Sequence, residues 1–107
     1  MRIFMTATYR VRASGVDRVT AAIDEFVDDI RGHEPGTELY QAWQRSDDPT
    51  SFLHLFIFAS EEARRIHSES DAVARFEAAY RPELVGGDVV FTDYTLVARN
   101  DLARTGA

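Results

Sequence analysis

Few residues in this chain have side chains able to do chemistry, and most of those are aromatic. There is no cysteine, which removes thiolate nucleophiles, thiolate metal sites and disulfides together. Of the 3 histidines, His54 keeps unusual company. It alternates with Phe52, Phe56 and Phe58, so in an extended segment it shares one face with their rings. A polar group in such a wall must be satisfied by a partner or be put to use. An imidazole with an ordinary pKa of roughly 6.5 can take up a proton near neutrality. The alternative is a core histidine bonded to a backbone carbonyl or a neighbour. His67 falls near the end of a short helix and His33 in a solvated turn. No spacing among the three suggests a metal triad. Asp24, Glu25, Asp28 and Asp29 lie off the apolar stripe of their helix and read as a solvated face.

The strand that carries His54 is Ser51 to Ala59, apolar on both alternating faces and therefore expected at the centre of a sheet. Residues from about Arg2 to Arg12 alternate as another interior strand. The first helix opens at Ser14-Gly15-Val16-Asp17, with Ser14 as the expected N-cap. Val16, Val19, Ile23, Phe26, Val27 and Ile30 form its stripe, and Gly32 is its expected C-terminal cap. Glu34-Pro35-Gly36-Thr37 is a turn. Strand two, Glu38 to Arg45, holds Tyr40 and Trp43 on opposite faces, with the inward one undecided. A hairpin loop over 46–50 leads into the central strand. Ser60 caps a short helix through His67, and Asp71 to Tyr80 forms another, closed by Arg81-Pro82. A last strand is expected over Val89–Ala98, then a loose tail over 99–107.

The order strand, helix, strand, strand, helix, strand over residues 1–98 predicts an α+β, ferredoxin-like βαββαβ domain with helices on one face of an antiparallel sheet. Phe4 is grouped with Phe52, Phe56 and Phe58 on the helix side. That leaves Ile3, Met5, Tyr9, Val11, Leu53, Leu55 and Ile57 on a face with no helix to cover it, and a second copy is the expected cover. The chain has 107 residues and a formal net charge of -6, which argues against nucleic acid as a partner. No apolar run approaches the roughly 20 residues that cross a bilayer, and no signal peptide is evident. A soluble, cytoplasmic protein is expected.

Pro35-Gly36, Tyr40, Asp48-Pro49 with Phe52, Phe58-Ala59-Ser60-Glu61-Glu62-Ala63, His67 and Ser70 succeed one another in an order and spacing that resembles the antibiotic biosynthesis monooxygenase family. The resemblance implies a homodimeric α+β barrel in which two sheets close on each other, with a ligand pocket between sheet and helices in each subunit. The haem-degrading branch of the family requires a strand-one asparagine, a strand-three tryptophan and a helix histidine, which align with Thr8, Phe58 and Glu77 here. The glutamate that many members carry on strand three falls at Phe56. His67 matches a recurrent family histidine. The quinone-forming branch, which this chain resembles more, oxidises phenolic or anthrone-like substrates with dioxygen and no metal, flavin or haem.

That chemistry needs the substrate as its anion, hence a base, donors to the oxyanion and an apolar, water-poor cavity. Under the resemblance His54 is the candidate base. Phe4, Phe52, Phe56 and Phe58 supply the wall, and Tyr40, Trp43, Tyr94, Thr8 and His67 are the further candidates to contact a flat aromatic ring. The expected function is a cofactor-independent monooxygenase acting on a small aromatic metabolite. The alternative is a ligand-binding or stress-associated dimer without catalysis. An open apolar cavity that reaches His54 favours the first, and a filled core around it favours the second.

Overall fold

Val19, Ile23, Phe26 and Ile30 recur every three or four residues along helix α1 (Val16–His33), and all of them are buried. Their stripe packs against Ala72, Phe76 and Tyr80 of α3 (Asp71–Tyr80) and against the sheet through Tyr9 and Phe52. A computed structural model describes residues 1–101, so residues 102–107 of the expected tail lie outside the described residues. The sheet contains β1 (Ile3–Arg10), β2 (Thr37–Gln44), β3 (Ser51–Phe58) and β4 (Val90–Tyr94), and α2 (Glu61–Ser68) precedes α3. Every strand pairing is antiparallel and the order is β2-β3-β1-β4, which puts β3 and β1 in the interior as expected. This is the α+β, ferredoxin-like arrangement.

The register corrects the expected faces. Ile3 lies opposite Phe58, Met5 opposite Phe56, Ala7 opposite His54 and Tyr9 opposite Phe52. Directly paired residues share a face of a sheet, so Ile3, Met5, Ala7 and Tyr9 belong to the helix-covered side. Phe4 pairs with Ile57, Thr6 with Leu55 and Thr8 with Leu53, all on the open side. Alternation within one strand cannot decide which face is inward; the partner's register does. On β2, Tyr40 and Ala42 pair with Phe56 and His54, so Tyr40 points inward and Trp43, opposite Leu53, outward.

Three boundaries also differ from expectation. Ser14 does not cap α1: a 3-10 turn over Ala13–Gly15 comes first, and Gly15 takes the N-cap position without a side-chain bond. Gly15 is pressed against Glu83, whose Oε1 would lie 2.7 Å from any Cβ there. Gly32 is helical, and α1 ends only at Glu34, whose N–H bonds to the Ile30 carbonyl at 3.0 Å. The last strand stops at Tyr94 rather than Ala98. Tyr94 already stands opposite Phe4, so β1 has almost no chain left to pair with residues 95–98. Ser60 caps α2 as expected, accepting from the Ala63 N–H at 3.1 Å.

Candidate functional site

A cavity of about 290 Å³ opens between the helix side of the sheet and the helices, lined by Met5, Ala7, Tyr9, Tyr40, His54, Phe56 and Phe58 from β1–β3, Phe26 from α1, Arg64, His67 and Ser68 from α2, and Val73, Phe76, Glu77 and Tyr80 from α3, with Phe91 from β4 and Val89 just before it. Its walls are mainly aromatic. Tyr40 stacks on Phe56 at 5.0 Å and 9°, and Phe26 stacks on Phe76 at 4.7 Å and 10°. Ala7 stands opposite His54, and the Phe76 ring lies stacked on the imidazole at 5.7 Å and 25°.

His54 is 1% exposed and is held at both ring nitrogens. Its Nε2 is 2.8 Å from the Tyr9 hydroxyl and its Nδ1 2.7 Å from the Tyr40 hydroxyl. Burial lowers its pKa to about 4, so at neutral pH the ring carries one N–H and one lone pair. One tyrosine therefore donates to the bare nitrogen while the other accepts from the N–H. Neither hydroxyl has another protein partner among the described residues. The Tyr9–His54–Tyr40 chain thus keeps a surplus hydroxyl hydrogen at one end and a free oxygen lone pair at the other. Burial pushes both phenols up, with smaller contributions from Tyr80 at Tyr9 and from Tyr9, Tyr80 and Glu34 at Tyr40. Neither ionises near neutrality.

A second polar pair enters from the helix side. His67 Nδ1 is 2.7 Å from Oε1 of Glu34, and both residues are buried. The Thr37 hydroxyl donates to the same carboxylate oxygen at 2.9 Å. A carboxylate only accepts, so the proton of this contact sits on Nδ1 and the lone pair of a neutral His67 sits on Nε2. At the rim, Arg64 bonds Glu61 at 2.7 Å and Asp93 at 3.1 Å.

Of the residues expected at the site, the fold brings together His54, Tyr40, Phe56, Phe58 and His67. Phe52 is on the same face but is sealed in the core, stacked on Tyr9 at 5.4 Å. Thr8, Trp43 and Tyr94 are on the opposite, open side of the sheet, because their pairings with Leu53, Leu53 and Phe4 put them there. They do not reach this cavity. Tyr9 and Glu34 were missed. Alternation alone does not decide which face of its strand Tyr9 shares, and Glu34 reads in the sequence as part of a Pro-Gly turn. Glu77, which the resemblance aligns with the haem-degrading branch's histidine, lines the cavity with a carboxylate tied to Arg81 at 2.7 Å. Among the described residues no group of 3 or more His, Cys, Asp or Glu is placed to hold a metal ion. His33 is exposed, its Nδ1 against the Asp29 carbonyl.

An α+β sandwich with an aromatic cavity between sheet and helices defines the class. The antibiotic biosynthesis monooxygenase family model matches residues 2–79, and the chain belongs to that family. Solved structures agree on the fold. One from Caulobacter crescentus, described provisionally as an antibiotic biosynthesis monooxygenase, is 22% identical with a TM-score of 0.82, covering 91% of each chain. Another so described, from Bacteroides thetaiotaomicron, is 14% identical with a TM-score of 0.85 over 96% of each chain. A third, from Nitrosomonas europaea, is 15% identical with a TM-score of 0.80, covering 87% of this chain and 88% of the other. No curated protein matches the chain. No described helix is long and apolar enough to cross a membrane.

Proposed function

We propose that the protein is a cofactor-independent monooxygenase that oxidises a small phenolic or polycyclic aromatic metabolite with dioxygen. The observation that carries this reading is the Tyr9–His54–Tyr40 chain, a neutral hydrogen-bonded relay at the wall of an aromatic cavity. A flat ring stacks among Phe56, Phe58, Tyr40 and Phe76, and its hydroxyl meets the relay. The tyrosine oxygen accepts the substrate proton as the tyrosine passes its own to His54, and His54 serves as base through a tyrosine only while the ring gives up its electrons to dioxygen, because burial holds its pKa at about 4. The tyrosine hydroxyl that has taken the substrate proton then donates it as a hydrogen bond to the resulting oxyanion. Exclusion of water strengthens each of these contacts.

The same reading has two copies pairing through the open sheet face. Trp43 and Tyr94 are 56% and 57% exposed there, Trp43 opposite Leu53 and Tyr94 beside Phe4, Leu39, Leu55 and Ile57. At roughly 25 cal/mol per Å², burying such a face is a strong drive to associate. A second reading, a ligand-binding dimer without turnover, is favoured by one observation: both nitrogens of His54 are already occupied, as in a purely structural histidine. Enzyme-dependent dioxygen uptake by the metal-free protein across a panel of polycyclic phenols separates the two. Tight binding without uptake leaves the second.

A further inference from the structure

Turning a phenol into a quinone moves protons at two separate places on the ring, and the relay that meets the hydroxyl accounts for one. The other is the ring carbon that dioxygen attacks. The phenolate carbon forms a C–O bond to dioxygen, and the distal oxygen takes a proton to give a hydroperoxide. A base must then remove the hydrogen still on that carbon. Its electron pair forms the new C=O, the O–O bond breaks, and the departing hydroxide takes a proton to leave as water. The sum is phenol C–H plus dioxygen giving quinone C=O plus water.

The geometry points to His67 as the group that collapses this hydroperoxide, with Glu34 as its positioning residue; the inference rests on the monooxygenase reading above. Three observations support it. Glu34 and Thr37 fix the Nδ1–H tautomer, as the 2.7 and 2.9 Å contacts require. His67 Nε2 has no protein partner, and no buried side-chain nitrogen or oxygen among the described residues lacks one, so Nε2 is the edge of the ring open to the cavity that His67 lines. His54 and His67 line the same cavity from the sheet and from α2, and the Tyr40 ring borders both, its centroid 5.5 Å from that of His54 and 5.9 Å from that of His67. A substrate ring in this cavity can present its hydroxyl to one pole and a distant carbon to the other. Nε2 takes the carbon-bound proton, Glu34 stabilises the imidazolium, and the same proton leaves with hydroxide.

The test uses the full-length protein with 1,5-dihydroxynaphthalene and 1,8-dihydroxyanthrone as probes, following dioxygen uptake, quinone absorbance and released peroxide together, with melting temperatures for every variant. Wild type is expected to give quinone in step with uptake. In His67→Gln and Glu34→Gln, quinone formation should fall by roughly 10²-fold or more while uptake persists, the difference appearing as hydroperoxide or hydrogen peroxide. Deuterium at the attacked carbon should slow quinone release without slowing uptake. If the variants lose uptake and quinone in parallel, or lose only stability with the uptake-to-quinone ratio unchanged, the assignment to His67 is overturned and the monooxygenase reading stands. If wild type shows no enzyme-dependent uptake with either probe, both fall. Should His67→Gln fail to fold, Glu34→Gln decides on the same readouts.

Discussion

Gly36 lies against Ala63 so closely that a Cβ on the glycine would come within 2.6 Å of the alanine's. The Gly36 carbonyl also accepts from the Ala59 N–H at 2.8 Å. This contact seats α2 beside the turn that carries Glu34, and so sets where His67 meets its carboxylate. The atom in the way is a buried Cβ on a helix, which cannot swing aside. Gly36→Ala should therefore cost about 1–3 kcal/mol of stability, the usual cost of overpacking. Chemical denaturation measures it, and an unchanged midpoint would show that α2 is not held there.

His54→Phe leaves the hydroxyls of Tyr9 and Tyr40 without their partner. If the relay is catalytic, turnover per folded molecule should drop by roughly 10²- to 10⁴-fold. A merely structural histidine would give a loss of about 1–3 kcal/mol in stability instead, with turnover nearly unchanged. Melting temperature and turnover on the same preparation separate these outcomes.

Acid should weaken the fold through the same residue. Burial holds the pKa of His54 at about 4, below the ordinary 6.5. Between those values the unfolded chain binds a proton that the folded chain refuses. The contribution of His54 to stability is complete above pH 6.5 and is lost as pH falls towards 4, to a total of about 3 kcal/mol. Denaturation midpoints across that window should show the slope, and His54→Phe should flatten it. A wild-type stability independent of pH there would contradict the buried, neutral imidazole.

Leu55→Arg puts a charge in the middle of the open face, next to Thr6 and Gln41. It should convert the proposed homodimer to monomer in sedimentation at micromolar concentration, because an unpaired charge cannot be buried cheaply. Wild-type protein that already sediments as a monomer removes the proposed pairing.

The fold was legible because its signals are local. The stripe of α1, the doubly apolar β3 and the Ser60 cap each announce an element within a few residues. The site was legible where the residue type itself marked a position, as with His54, Phe56 and Phe58 on β3, Tyr40 on β2 and His67 on α2. Tyr9 reaches His54 through a cross-strand register that no single segment encodes, and its strand alternates equally well with either face inward. Glu34 meets His67 only after α1 has run past Gly32 and α2 has docked on Gly36. For the same reason Thr8, Trp43 and Tyr94 looked like pocket residues: their chemistry suits a ring, but pairing directed them outward.

The polarity of the Tyr9–His54–Tyr40 chain can be reversed without moving a heavy atom. If both hydroxyls rotate about their C–O bonds and the imidazole hydrogen moves from one ring nitrogen to the other, the end that offered a hydrogen becomes the end that offers a lone pair. A guest with a carbonyl and a guest with a hydroxyl can then be received at the same spot, each selecting the direction it needs. A ketone product is greeted as readily as the phenol that preceded it. Discrimination between guests falls to the shape of the aromatic walls, and the polar end is left indifferent to the oxidation state of what it holds.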